Sequence, residues 1–173
     1  MPVLSDPIPP KSPGGPQKTI TELRQQVISL LQDSIDATGT SDGWLWVAHE
    51  PQVPWSHDLS HTGLDTCSTV GEKGSYQISG LVFRDPLGDP HDTARVLGEH
   101  WKSQGFTLRT VFDWKKGDHV QIQLAAERAD GISQDVIAAE DGLSIMVLSE
   151  CSTDKSFDYF IEHEEDPPAS VKP

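Results

Sequence analysis

Two cysteines, Cys67 and Cys151, constrain the fold of this chain more than any other feature. They lie 84 positions apart, and neither has the nearby Cys or His partner that a zinc site or a redox Cys-x-x-Cys motif requires. We therefore expect a structural disulfide between them. Such a bond would close a loop of half the molecule and stabilise the fold by about 4 to 5 kcal/mol on the chain-entropy account. Because disulfides persist in oxidising compartments, the pair predicts an extracytoplasmic protein.

The composition describes an acidic chain of single-domain size. Its 173 residues carry a formal net charge of −14, and this length suffices for one domain with a buried core. Because an acidic surface repels phosphate groups, we expect no nucleic-acid partner and no electrostatic binding to anionic lipids. Acidity of this kind commonly keeps a protein soluble, and binding to a basic protein partner is the alternative interpretation. No apolar run is long enough to predict a transmembrane helix.

Both ends of the chain have compositions that do not pack. Residues 1–18 are rich in proline and poor in apolar side chains, which predicts a disordered, extended tether. Residues 164–173 predict a disordered acidic tail, which leaves a single domain over residues 19–163. The beginning of the chain lacks the basic and apolar regions of a signal peptide. We therefore interpret Met1 as an added start in front of a mature protein whose export signal has been removed.

The spacing of apolar residues predicts an α+β domain. The capping-box pair Thr19 and Glu22 opens a helix that extends to residue 37, and Asp89 with Pro90 opens a second helix that ends before Gly105. Strands are predicted over residues 44–48, 76–83, 106–114, 120–126, 132–139 and 143–151. The last four form a meander. This order indicates a largely antiparallel sheet of about five to six strands with two helices on one face.

The segment over residues 50–74 is predicted to be a long loop without secondary structure, pinned by Cys67. Within it, His57, His61 and Asp65 could hold Zn²⁺ and leave a position open for water, as a metal-dependent hydrolase requires. The segment has no apolar face that would dock a supporting helix, so an exposed polar loop is the favoured interpretation. We accordingly predict no cofactor.

Nucleophilic and acid–base catalysis have weaker candidates. The chain has no G-x-S-x-G motif, and Ser144 lies inside an apolar strand where its hydroxyl should face away from the core. The carboxylates Glu162, Glu164 and Glu165 lie in a charged segment that is more typical of a solvated tail than of an acid–base pair. We therefore expect that the protein is not an enzyme.

The tryptophans offer a possible binding surface. Trp44 and Trp46 lie on the same side of the first strand, and Trp55 follows in the long loop. Together they could form an aromatic platform for a sugar ring, a peptide or an apolar ligand. The alternative is that Trp44 and Trp46 belong to the core beneath the first helix. Trp101 and Trp114 have the periodicity of core residues.

The chain resembles the small surface lipoproteins of actinobacteria. The resemblance rests on the tether over residues 2–17, the helix over 19–37, the pair Cys67 and Cys151, and the strand–helix–strand unit over 76–114. It implies a small α+β domain stapled by one disulfide and held at the outer face of the cell membrane through a lipidated cysteine. That cysteine is absent from this sequence, so the resemblance implies a location more than an activity.

Three classes of function remain open. The first is a non-catalytic binding domain, secreted or displayed at the cell surface, for an unknown protein, peptide or glycan ligand. The second is an acidic inhibitor or immunity-type partner of a basic protein, which would associate fast and with strong salt dependence. The third is the hydrolase that would use His57 and His61. The convergence of tether, disulfide and acidic surface favours the first.

Overall fold

The computed structural model describes residues 17–67 and 74–163. The predicted acidic tail, and all but the last two residues of the predicted tether, lie outside the described residues. Those two residues, Gln17 and Lys18, contact the domain, and Gln17 Oε1 accepts a hydrogen bond from the Thr153 N–H at 3.3 Å. The Nζ atom of Lys18 lies 2.6 Å from a carboxylate oxygen of Glu150, and the Lys18 carbonyl accepts a hydrogen bond from Ser152 Oγ at 2.6 Å. The described fold thus begins at Gln17.

The predicted α+β class is confirmed, with more elements than expected. The described residues contain three helices, α1 (Ile20–Ala37), α2 (Pro90–Ser103) and α3 (Lys155–His163). They also contain eight strands, β1 (Leu45–Val47), β2 (Val53–Pro54), β3 (Gly63–Thr66), β4 (Tyr76–Arg84), β5 (Thr107–Lys116), β6 (His119–Glu127), β7 (Ser133–Ala139) and β8 (Gly142–Leu148). None of the helices in the described residues is long and apolar enough to cross a membrane.

One antiparallel sheet contains all of these strands, in the order β2-β1-β4-β8-β7-β6-β5, with β3 also paired to β4. The last four strands form the predicted meander. The prediction of a loop without secondary structure over residues 50–74 was wrong. Its described part contains β2, a 3-10 turn over Leu59–His61 and β3, which were too short and too polar to give a period.

Helices α1 and α2 cover one face of this sheet. Positions along β7 and β8 alternate between buried and partly exposed, and the buried ones, such as Val136 and Ile145, contribute to the core. Two glycines seat the helices closely. A Cβ atom at Gly80 would lie 2.6 Å from the side chains of Val27 and Leu31 on α1, and one at Gly98 of α2 would lie 2.8 Å from Leu124. Both helices therefore rest directly on the strands.

Helix α3 was not predicted, because its nine residues merge into the acidic segment that follows. It packs against the beginning of α1. The backbone N–H of Ile20 donates to Ser156 Oγ at 2.9 Å, and the buried ring of Phe157 stacks on Tyr76 with centroids 5.7 Å apart. Glu162, one of the predicted tail carboxylates, is an exposed residue of this helix, while Glu164 and Glu165 lie outside the described residues.

A buried polar chain joins α1, α2 and β7 beneath the sheet. Trp101 is fully buried, as predicted, and its indole N–H donates to Ser34 Oγ at 3.0 Å. Ser34 in turn donates to Gln134 Oε1 at 2.9 Å. All three side chains are at most 1% exposed. Since buried polar groups cost free energy unless they are paired, these hydrogen bonds fix how the two helices pack on β7.

Strand β5 forms one edge of the sheet and carries a bulge at Val111, between the pairs Thr110–Leu124 and Phe112–Gln123. The prediction that Trp114 belongs to the core was wrong. Its side chain is 48% exposed, because the extra residue at the bulge shifts the alternation of the strand by one position. Trp114 therefore lies opposite Gln121, on the face of the sheet that the helices do not cover.

Candidate functional site

The disulfide between Cys67 and Cys151 is present in the structure, as predicted, with Cα atoms 6.2 Å apart. It joins the end of β3 to the segment after β8. Next to it, the Cys67 N–H donates to the Ser75 carbonyl at 3.0 Å, and Tyr76 pairs with Ser152. Because such bonds persist in oxidising compartments, the disulfide indicates an extracytoplasmic domain.

Two of the three tryptophans of the predicted platform are buried. Trp44 is 2% exposed and donates its indole N–H to the Thr40 carbonyl at 2.8 Å. Trp46 is 5% exposed and donates to the Ser56 carbonyl at 3.0 Å. Both rings therefore belong to the core beneath α1, the alternative given by their sequence positions, and they offer little surface to a ligand.

Trp55 is half-buried against this core. Its ring lies 4.8 Å from that of Trp46, and its indole N–H donates to Gln32 Oε1 at 2.9 Å. The same amide oxygen lies 2.8 Å from His57 Nε2, which must therefore carry the proton. Gln32 of α1 thus holds both rings of the loop against the helix.

The predicted metal ligands do not converge on one point. His57 is directed to Gln32, whereas His61 Nε2 lies 3.7 Å from Asp58 Oδ2 and its ring lies 5.6 Å from that of Trp46. Asp65 pairs across β3 with Gln77. Within residues 17–67 and 74–163, no group of three or more His, Cys, Asp or Glu side chains is arranged to hold a metal ion.

The sheet face opposite the helices, here called the open face, contains a cavity of about 670 Å³. Its floor consists of the outward-facing side chains of four adjacent strands, and its rim consists of polar residues from the turns and from β4 and β6. The floor residues are Leu45, Phe83, Ser144, Ile137 and Ala139, and the polar rim residues are Gln52, Arg84, Asp85, Gln121 and Asp141. An apolar floor with a few polar groups is the usual composition of a ligand pocket.

Hydrogen bonds position the cavity rim on two sides. On one side, the Arg84 guanidinium donates to the carbonyls of Asp42 at 2.8 Å and Asp85 at 2.9 Å. On the other, the Glu140 carboxylate accepts from the Val120 N–H and contacts the His119 ring. The hydrogen bond from Val120, followed by that from His119, lowers the pKa of Glu140. The rim is therefore held by the backbone on both sides.

One carboxylate lies beside the floor on the open face. Partial burial raises the pKa of Asp135, while a 2.7 Å hydrogen bond from Gln123 Nε2 and the charge of Arg109 oppose that effect. The three residues lie on the neighbouring strands β7, β6 and β5. Asp135 is opposite Met146, whose side chain is only partly exposed. The surroundings of Asp135 therefore disfavour its charged form.

Sequence reasoning found only Ser144 among the residues of this cavity. Its hydroxyl faces away from the core, as predicted, and lies in the cavity floor. The hairpin of β7 and β8 supplies several of the other lining residues, and β1 and β4, which are distant from it in the chain, supply Leu45 and Phe83. A signal was nevertheless present, since the outward positions of β7 and β8 include Ile137, Ala139 and Met146. A solvent-facing row of an antiparallel sheet is normally polar.

Comparisons with known proteins describe the fold and no activity. No protein-family model matches this chain, and no curated protein matches it in sequence. Among solved structures, the chain is similar to a DUF4853 family protein from Actinomyces odontolyticus, with a TM-score of 0.56 and 14% sequence identity. The similarity covers 83% of this chain and 73% of that chain. At this identity, the likeness shows a shared fold alone.

Proposed function

We propose that this chain is a non-catalytic, extracytoplasmic interaction domain that binds a partner through the cavity on its open face. The observation that carries this proposal is the cavity itself. Its volume of about 670 Å³ falls within the range of roughly 300 to 1,000 Å³ that is typical of binding pockets. Its floor lies on paired strands, so little conformational freedom would be lost on binding.

The composition of the cavity supports binding over catalysis. The floor offers apolar contact, and Arg84, Asp85 and Asp141 at the rim offer hydrogen bonds to the periphery of a bound group. Ser144 is the candidate nucleophile among the cavity residues. No histidine that could act as its general base is among the described residues that line the cavity. The occupant that fits best is an apolar group presented by a partner.

The resemblance to surface lipoproteins remains part of this proposal. A lipid anchor in front of the domain would hold it at the outer face of the cell membrane. The disulfide is consistent with that location, and mass spectrometry of the protein from its native cells would show whether a lipidated cysteine precedes residue 1. A non-lipidated mature protein would leave a secreted domain.

Binding of Nile red, a neutral apolar dye that fluoresces when it leaves water, tests the cavity. We expect saturable fluorescence that is lost in Ala139→Trp, because the indole would fill the floor beside Ile137. The matched control is Ala125→Trp, which places the same side chain on the same sheet face outside the cavity. Absence of dye binding by monomeric protein, or equal binding by both variants, would contradict the proposed site.

A further inference from the structure

The open face carries a protruding side chain at one end and the cavity at the other. Trp114 on the edge strand β5 is 48% exposed, which is the largest value among the large apolar side chains of the described residues. The cavity extends from β1 to β6, with its floor on β1, β4, β8 and β7. A protruding ring and a hollow on one surface are the two halves of a self-complementary interface.

The strand register places the ring and the hollow at the same height. Trp114 lies opposite Gln121, Gln121 opposite Ala139, and Ala139 opposite Gly142. The last three of these residues line the cavity. One row across the sheet therefore begins at the exposed indole and ends in the hollow.

A two-fold axis parallel to the strands would bring the two features together. Such an axis, passing over β7 between two open faces, places β5 of one copy above β4 and β8 of the other, and keeps each row at its own height. Each Trp114 would then face the cavity of the opposite copy. The interface is isologous, so the assembly closes at two copies.

The charged side chains on the open face also favour the pairing of two copies in this orientation. The β5 side of the open face carries Arg109 and Lys116, whereas the rim of the cavity carries Asp85 and Asp141 beside Arg84, whose guanidinium donates to the carbonyls of Asp42 and Asp85. Lys116 lies opposite His119 and thus at the height of the turn that contains Asp141. Lys116 would therefore lie near Asp141 of the opposite copy, and the Arg109 side chains would flank the two Asp135 carboxylates, which face each other across the axis. Repulsion between two copies that each carry a net charge of −14 is weakened at physiological salt, because charges more than about 8 Å apart are largely screened.

We propose that two copies of this chain form a symmetric dimer through their open faces, in which Trp114 of each copy occupies the cavity of the other. This inference rests on the proposed function, because it names the partner of the same cavity. Tryptophan is among the side chains most often responsible for binding energy at interfaces, in particular when it enters a pocket.

Sedimentation velocity over a series of protein concentrations tests the dimer. We expect a concentration-dependent species of twice the monomer mass, and its loss in Trp114→Ala with a dissociation constant raised at least about tenfold. The control is Val96→Ala, which removes a 37% exposed apolar side chain from α2 on the helical face. Circular dichroism should show that both variants retain the fold. A wild-type protein that stays monomeric overturns the inference, as does a dimer that Trp114→Ala leaves unchanged.

Charge reversal tests the orientation of the two copies. Lys116→Glu and Asp141→Lys should each weaken the dimer, and the double variant should recover it because the opposite charges meet again with their signs exchanged. Two independent losses without recovery would refute the two-fold arrangement. A monomer that still binds Nile red in its cavity would overturn the dimer and leave the proposed binding site in place, whereas loss of dye binding by all forms would remove both.

Discussion

The buried chain of Trp101, Ser34 and Gln134 allows a quantitative test of how the helices are fixed to the sheet. Replacement of Ser34 by Ala removes the oxygen that accepts from the indole N–H at 3.0 Å and the hydroxyl that donates to the amide oxygen at 2.9 Å. The amide nitrogen of Gln134 already has no partner among the described residues. The variant would therefore leave two buried groups newly unpaired.

The expected loss of stability follows from the free energy needed to leave a buried polar group without a hydrogen bond. Each such group destabilises a fold by roughly 1 to 3 kcal/mol, and the better helix propensity of alanine offsets about 0.5 kcal/mol. Rotation of the Gln134 amide can relieve part of the loss. We therefore expect Ser34→Ala to lower the free energy of unfolding by about 2 to 3 kcal/mol.

Urea unfolding followed by circular dichroism provides the measurement, with an unchanged m-value as the sign that only stability has changed. Ser29→Ala is the matched control, because Ser29 is an exposed residue of the same helix, and it should change stability by no more than about 0.5 kcal/mol. Adding Gln134→Met to Ser34→Ala should recover part of the loss. Equal effects of the two serine variants would refute the assignment of the network.

Further expectations follow from single sites. Gly80→Ala should lower the free energy of unfolding by about 1 to 3 kcal/mol in urea titrations, because the new methyl group meets α1 at 2.6 Å; an unchanged stability would mean that the helix can move away. Folding raises the pKa of Asp135 above its unfolded value near 3.8, so stability should fall as the pH rises through the interval between the two values. Asp135→Asn should then be more stable than the wild type above that pH interval and show no gain below it. A variant that is less stable than the wild type above the interval would contradict the raised pKa. Thiol titration in denaturant without reductant should find neither Cys67 nor Cys151 free, and reduction should destabilise the fold by about 4 to 5 kcal/mol.

Much of the fold was predictable because its long elements carry strong local signals. Helix α1 has the capping box in which the Glu22 N–H donates to Thr19 Oγ1 at 3.1 Å and Thr19 N donates to the Glu22 carboxylate at 3.3 Å. Helix α2 begins at the predicted cap, where the Asp89 carboxylate accepts from two backbone N–H groups. The meander followed from alternation and from turn residues. These signals act within a few residues and need no tertiary context.

The candidate site was less predictable because distant strands create it. The cavity depends on which strand lies beside which, and β4 pairs with β8 across a separation that no local pattern encodes. Trp114 shows the same limit, since a one-residue bulge at Val111 moved a ring from the expected core to the open face. The surroundings of the predicted tryptophan platform also depend on tertiary contacts, because Trp44 and Trp46 are buried and the indole N–H groups of Trp46 and Trp55 donate to Ser56 and Gln32.

The edge strand β5 also determines what kind of assembly this domain can tolerate. A straight, uncharged edge of ten residues would offer its free backbone groups to any other strand and could extend the sheet without limit, as in fibrils. The bulge at Val111 interrupts that row, and Lys115 and Lys116 place charges at its end. Growth along the hydrogen-bonding direction is thereby discouraged, and association through the open face would stop at a closed pair.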